Sequence, residues 1–219
     1  MAGGNRARMS SDSNQDQAVW QAALQYLGQG WSVYPVAEAS EHLQGMSRVL
    51  SGKLPVSLRY FINPIKHIDQ ATPDQFTGHG IGIATGGQSR LLVIDVDGSE
   101  GLESAAQLQH SPTRTVRTRH GLHLYYAYPE PTTWMPSAPG VLAEGIDIKG
   151  DDGFVSAPPS RHPEGGYYEW INPEVAIATL PNHLVELIKQ LPHRPRWKMY
   201  RRYIWQKYLR HPFNALTGI

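Results

Sequence analysis

Apolar residues recur along this chain with two periods, and the periods mark out its elements. In QDQAVWQAALQYLGQG, residues 15–30, Ala18, Ala22 and Tyr26 fall on one helical face, with Val19, Ala23 and Leu27 beside them. This spacing predicts a helix ended by Gly28 and Gly30. WSVYPV, 31–36, reads as a strand, whereas residues 37–79 carry several Pro and Gly and read as irregular. GIGIAT, 80–85, and LLVIDVD, 91–97, are β-rich runs separated by the turn GGQSR. SEGLESAAQLQ, 99–109, suits a helix capped by Ser99. TRTVRT, 113–118, and GLHLYYAY, 121–128, suit a hairpin pair. IDIKGDDGFVSAPPS, 146–160, reads as two short strands around the turn 150–153, and YYEW, 167–170, as another strand. PNHLVELIKQL, 181–191, predicts a helix begun by Pro181 that turns Leu184, Leu187, Ile188 and Leu191 to the core. The pattern predicts an α/β (α+β) body with short antiparallel strands in its second half.

Composition narrows the chemistry. With no cysteine among 219 residues, disulfides and thiolate metal sites are excluded, so any metal must be held by oxygen or imidazole. No apolar run approaches the roughly 20 residues a membrane span needs. No secretory signal is visible, so a cytoplasmic location is expected. The polar, small-residue segment 1–14 is expected to be disordered, 15–192 to form the catalytic domain, and 193–219 to be a basic aromatic tail or linker.

Charge divides at that last boundary. Residues 1–193 hold thirteen Lys/Arg against nineteen Asp/Glu, a net of −6; residues 194–219 hold seven Lys/Arg and no acid. The tail interleaves Arg201, Arg202, Lys207 and Arg210 with Trp197, Tyr200, Tyr203, Trp205 and Tyr208. Cations alternating with stacking surfaces suit single-stranded DNA. The same residues also suit a helix that packs its aromatics on the body.

The candidate chemistry centres on Asp95 and Asp97. Two residues apart on a strand, they point to one face, where their like charges repel unless something positive lies between them. A hard divalent cation, Mg²⁺ or Mn²⁺, is the simplest such object. Asp147, between Ile146 and Ile148, offers a third carboxylate on a second strand, and Lys149 shares its face. Lys149 can contact the phosphates of a metal-bound nucleotide or form a salt bridge to Asp147. Asp151 and Asp152 read as turn residues. Arg119, His120 and His123 surround the start of a strand, where His123 alternates with Leu122 and Leu124 and suits a phosphate. Ser160, Arg161 and His162 follow a stiff Pro-Pro pair and together suit an anionic ligand.

These pieces together resemble the primase-polymerase domain of the archaeo-eukaryotic primase superfamily, the bifunctional kind found in plasmid, phage and CRISPR-associated replication proteins. The likeness runs from about Trp31 to Leu191 through GWSVYPV, GKLP, LLVIDVDG, RTRHGLHLYY and GIDIKGDDGFVSAPPSRHPEGGYYEW. It implies a small α/β lobe joined to an RRM-like lobe, with the active site in the cleft between them. It implies that Asp95, Asp97 and Asp147 bind two divalent metals and that His123 contacts the triphosphate. Lys149, Ser160 and His162 would line the nucleotide pocket with Arg119 and Arg161. The expected activity is template-directed nucleotidyl transfer, as a primase, a DNA polymerase or both, in plasmid, phage or mobile-element replication. Nucleoside triphosphates, single-stranded or primed DNA and a helicase are the expected partners. One departure stands out: His120-Gly121-Leu122-His123 has one glycine before the second histidine where many members have two.

Two alternatives stand beside this. A haloacid-dehalogenase-type phosphatase also carries an apolar strand ending in Asp-x-Asp-Gly, with Asp95 then the nucleophile and Asp97 an acid/base. A non-catalytic replication module would bind single-stranded DNA through Trp197, Arg201, Arg202, Trp205 and Lys207 alone.

Overall fold

In the computed structural model, which describes residues 3–37, 53–57, 59–131 and 134–194, helix α1 (Gly3–Gly28) leads into strand β1 (Val33–Val36). A helical turn at Arg59–Ile62 and two 3-10 turns precede β2 (Gly80–Ala84) and β3 (Leu91–Asp97). Helix α2 (Gly98–Gln107), β4 (Thr115–Arg117) and β5 (Gly121–Ala127) follow. Then come β6 (Ala138–Ala143), β7 (Ile146–Lys149), β8 (Phe154–Ala157), β9 (Glu169–Trp170), β10 (Ala178–Thr179) and α3 (Asn182–Lys189). The strands form two sheets, a small one in the order β1-β2-β8 and a large one in the order β6-β7-β3-β5-β4-β9, with β10 running parallel beside β5.

Strand β3 explains why the sheets sit together. Its alternate residues Leu92, Ile94 and Val96 enter an apolar layer with Leu124, Tyr126, Ile146 and Ile148, covered by Ala105 of α2 and by Leu184, Val185 and Ile188 of α3. On its other face Leu91 and Val93 join Tyr125 and Val116 against Ile81, Ile83, Val155 and Ala157 of the small sheet. Val19, Ala23, Tyr26 and Leu27 of α1 complete that second core. Each fully buried aliphatic side chain here contributes about 1.5–3 kcal/mol. Strand β3 is therefore buried on both faces for most of its length, as its run of four apolar residues requires.

Several expectations need correction. Helix α1 begins at Gly3, so residues 3–14, expected to be disordered, are helical. Asp12 pairs with Arg161, Gln15 donates to the Pro159 carbonyl, and Asp16 accepts the Gly78 N–H, which pin the helix where its apolar face has not yet begun. Extending a helix from such a fixed segment costs far less than nucleating one. Ser99 is not the cap of α2: Asp97 holds the N-cap position without a side-chain bond, because its carboxylate is among the other acids described below. Gly98, at φ 73°, makes the left-handed turn from strand into helix. Leu187 is exposed and Val185 takes its place in the core. The strands around the turn 150–153 do not pair: β7 lies in the large sheet and β8 in the small one. The aromatic basic stretch 197–208 lies outside the described residues.

Gly121 sits where β5 meets β3, and a Cβ there would lie 1.8 Å from the Val96 carbonyl oxygen. The single glycine before His123 is thus fixed by the close approach of two backbones. Gly121→Ala should lower stability by about 3 kcal/mol. Gly28→Ala, at the end of α1 with no atom within 4 Å of its added methyl, should be neutral or stabilising by up to about 1 kcal/mol. Urea unfolding of the two variants checks both signs.

Candidate active site

The alternation that buries Leu91 and Val93 carries Asp95 and Asp97 onto the same face, beyond the cover of the small sheet. There they line a cleft walled on its far side by Leu54 and by Phe154, Val155 and Ser156 of β8. The antiparallel ladders place His123 of β5 opposite Asp95 on one side and Asp147 of β7 opposite it on the other. One row across three strands therefore reads His123, Asp95, Asp147. Oxygens of Asp95, Asp97 and Asp147 all lie within 4.8 Å of one another.

A cation holds this acidic group together. Lys149 lies two residues along β7, and its Nζ stands 3.0 Å from Asp95 Oδ2 and 2.7 Å from Asp147 Oδ2. His123 Nε2 lies 3.3 Å from Asp95 Oδ1, so both Asp95 oxygens are engaged. The second Asp147 oxygen accepts the Gly140 N–H at 2.8 Å. Burial by itself raises the Asp95 carboxyl, but the Lys149 and His123 charges outweigh it and hold the group well below the usual carboxylate range. Asp97, the exposed member, behaves oppositely: partial burial of its carboxyl and the Asp95 charge raise it, against Lys53 and Lys149. His123 Nδ1 is buried and has no hydrogen-bond partner among the described residues.

His162 also reaches the cleft. Burial, with Lys53 nearby, lowers it to about 4, so its imidazole is neutral at physiological pH. Its Nδ1 accepts the Glu164 N–H at 3.2 Å, which leaves Nε2 carrying the hydrogen. The rest of its segment is occupied elsewhere. Ser160 Oγ accepts the Ile81 N–H at 2.7 Å and donates to the Ile81 carbonyl at 3.0 Å, fastening the turn to β2 instead of facing the cleft. Arg161 pairs with Asp12 at 3.2 Å. Tyr26 and Gln15 of α1 donate to the Pro158 and Pro159 carbonyls. This stiff stretch thus serves to position His162. Arg119 is exposed and does not line the cleft.

Lys53, Asp152, Tyr168 and Arg194 are among the lining residues that sequence reasoning did not single out for the site. Lys53 had a signal in the GKLP segment, and Arg194 had one as the first cation of the basic tail. Tyr168 packs its ring on both His123 and His162, with centroids 5.7 and 5.4 Å away, a relation only the fold creates. Asp151, read as a turn residue, ties that turn to the rest of the fold by accepting hydrogen bonds from Gly87 N–H, Met135 N–H and the Tyr128 hydroxyl.

The all-oxygen donor set, converging around an ammonium that already supplies positive charge, fits a hard divalent cation. It does not fit a nucleophilic Asp95, whose two oxygens are held by His123 and Lys149 in the middle of an antiparallel sheet.

Among the described residues no helix is long and apolar enough to cross a membrane. No curated protein matches the chain. The family model described as bifunctional DNA primase/polymerase, N-terminal, matches residues 23–183, which span every carboxylate, histidine and lysine of the row described above. Its members' primase/polymerase-type function, with nucleotide and DNA substrates, accords with this site, and the chain belongs to the Prim-Pol family.

Proposed function

We propose that the chain catalyses template-directed nucleotidyl transfer to a DNA 3′-hydroxyl, with Asp95, Asp97 and Asp147 holding two divalent ions, Mg²⁺ or Mn²⁺. The observation that carries this reading is the convergence of three carboxylates from two neighbouring strands within 4.8 Å. Bound ions supply a more acidic attacking hydroxyl and neutralise charge on the triphosphate. The chain supplies placement. Strands β3 and β7 fix the three carboxylates on one sheet face, so little reorganisation is needed when substrate arrives. His123 lines the cleft beside Asp95, where it would contact the triphosphate. Lys149 neutralises Asp95 and Asp147, and its four-carbon stem allows the ammonium to turn to the phosphates of the nucleotide. His162 presents a neutral N–H in the cleft. Single-stranded or primed DNA is the template, in the replication of a plasmid, phage or other mobile element, alongside a helicase. The basic tail, through Trp197, Arg201, Arg202, Trp205 and Lys207, adds affinity for the strand.

The direct test is incorporation of labelled nucleotide on single-stranded DNA with Mn²⁺ or Mg²⁺, with and without a primer. Product is expected in at least one format, and Asp95→Ala should lower it by about a hundredfold or more. Near-normal extension by Asp95→Ala rejects the metal assignment. DNA binding with no incorporation in either format favours the non-catalytic module.

Asp97 provides a second test. Because its folded-state carboxyl is raised, the folded protein binds its proton more tightly than the unfolded chain. The charged form therefore costs stability at neutral pH, and the cost is relieved as pH falls into the carboxylate range. Asp97→Asn should melt higher than the wild type in chelator at neutral pH, and the gain should shrink on acidification. Mn²⁺ should raise the melting temperature of the wild type and do so far less for the variant.

Deleting residues 196–219 should weaken single-stranded DNA binding at one fixed salt concentration while leaving nucleotide affinity within about twofold. Equal DNA affinity after the deletion removes the tail from the binding surface.

A further inference from the structure

After helix α3 the chain turns back across the large sheet to the start of β6. His193 Nδ1 accepts the Ser137 N–H at 3.1 Å, and the Arg194 N–H donates to the Ser137 carbonyl at 2.7 Å. This reciprocal pair of bonds grips the segment at both ends of one residue. The His193 ring stands edge-on to Trp134, with centroids 4.7 Å apart, and its Nε2 lies 3.5 Å from Asp152. Ser137 is itself immobilised: its hydroxyl donates to the Asp151 carbonyl at 2.8 Å and accepts the Gly150 N–H at 3.0 Å. The backbone of Arg194 is thereby tied to the turn that follows Lys149.

That anchorage sets Arg194 among the residues that line the cleft with Asp95, Asp97 and Lys149. The residue is exposed, and among the described residues its guanidinium forms no ion pair with an acid. It also lies past residues 23–183, the stretch that matches the family. Lys149, by contrast, contacts two carboxylates. A solvated arginine needs no such latch. An arginine whose backbone is fixed beside a cleft with an acidic floor has a clear use there: its planar fork binds phosphate oxygens in pairs and is always charged.

We infer that Arg194 forms a phosphate subsite at the mouth of the cleft, latched in place by the Ser137–His193 bonds, for a phosphate of the incoming nucleotide or of the DNA strand. The inference rests on the nucleotidyl-transfer reading above. It gives the cleft a phosphate contact supplied from outside the family-matched region, and it sets the starting point of the basic tail at the substrate entrance. An acidic floor repels a polyanion, and a fixed cation at the rim offsets that repulsion where the ligand first arrives.

The test uses the full chain carrying Arg194→Ala or Arg194→Lys. Equilibrium binding of a fluorescent nucleoside triphosphate with Mn²⁺ is measured beside binding of a single-stranded oligonucleotide over a series of salt concentrations. Arg194→Ala should weaken one of the two by about tenfold with an unchanged melting temperature, and Arg194→Lys should recover part of the loss. If the nucleotide arm moves, the phosphate belongs to the triphosphate. If the DNA arm moves, the salt dependence should become shallower by about 0.7 in log–log slope, and the phosphate belongs to the strand. Unchanged affinity in both arms, with wild-type binding intact, overturns the subsite and leaves the polymerase reading standing. A wild type that binds neither ligand and incorporates no nucleotide removes the reading and the subsite together.

Discussion

Asp95 and Asp147 stand directly opposite each other on β3 and β7, and the site depends on that pairing. Like charges opposed across a ladder destabilise a sheet, and burial takes away the water that screens them. The structure answers with Lys149, placed on the same face one pleat further along, between the two carboxylates. What keeps the charges in register is on the reverse of the sheet. Ile94, Val96, Ile146 and Ile148 are buried beneath α2 and α3. A slip of one residue in β3 would turn Asp95 and Asp97 into that apolar layer. Hydrophobic burial on one face therefore holds an otherwise unfavourable cluster of charge on the other.

The cleft owes its second wall to one short turn. Residues 150–153 carry the chain from β7 in the large sheet to β8 in the small one, and nearly every polar group there is fastened. Thr85 Oγ1 donates to the Gly150 carbonyl at 2.7 Å, and the Thr85 N–H donates to the Gly153 carbonyl at 2.9 Å. Asp151 gathers three donors from elsewhere in the chain. The two walls are thus consecutive segments joined by a rigid corner, and the hydrogen bonds that fasten this corner to distant parts of the chain hold the Asp95 row and the β8 wall in place.

How much of this was legible in the sequence depends on whether the signal was periodic. The period of two in LLVIDVD placed Asp95 and Asp97 on one face and Leu92, Ile94 and Val96 on the other, and the flanking isoleucines did the same for Asp147. Those are local consequences of the pleat. Strand β6 was not legible, because APGVLA contains a proline and a glycine at φ 61° and pairs with a shifted register. Ser160 and Arg161 looked like ligand groups because a hydroxyl and a guanidinium beside a histidine suit an anion. Their real partners, Ile81 and Asp12, are 79 and 149 residues away in sequence, and no local pattern reveals such a bond. Tyr168 escaped for the same reason: its place at the site is made by tertiary contact.

The distribution of charge has a physical logic that joins the sequence to the site. The centre of the cleft is built from carboxylates on strands, where side-chain direction is fixed and divalent cations can be gripped. Nucleotide and DNA are polyanions, so such a floor cannot attract them unaided. Apart from Lys149, the positive groups that line the cleft come from elsewhere: Lys53 from the segment before the Arg59–Ile62 helical turn and Arg194 from beyond α3. The same division appears at the scale of the chain, with a net charge of −6 over residues 1–193 and seven cations without an acid over 194–219. Acid held rigidly at the centre and base supplied from loops and termini is the arrangement expected where metal ions must be bound tightly and a long polyanion must be bound reversibly. A uniformly basic cleft would hold the polyanion but not the ions, and a uniformly acidic one would hold the ions and repel the strand.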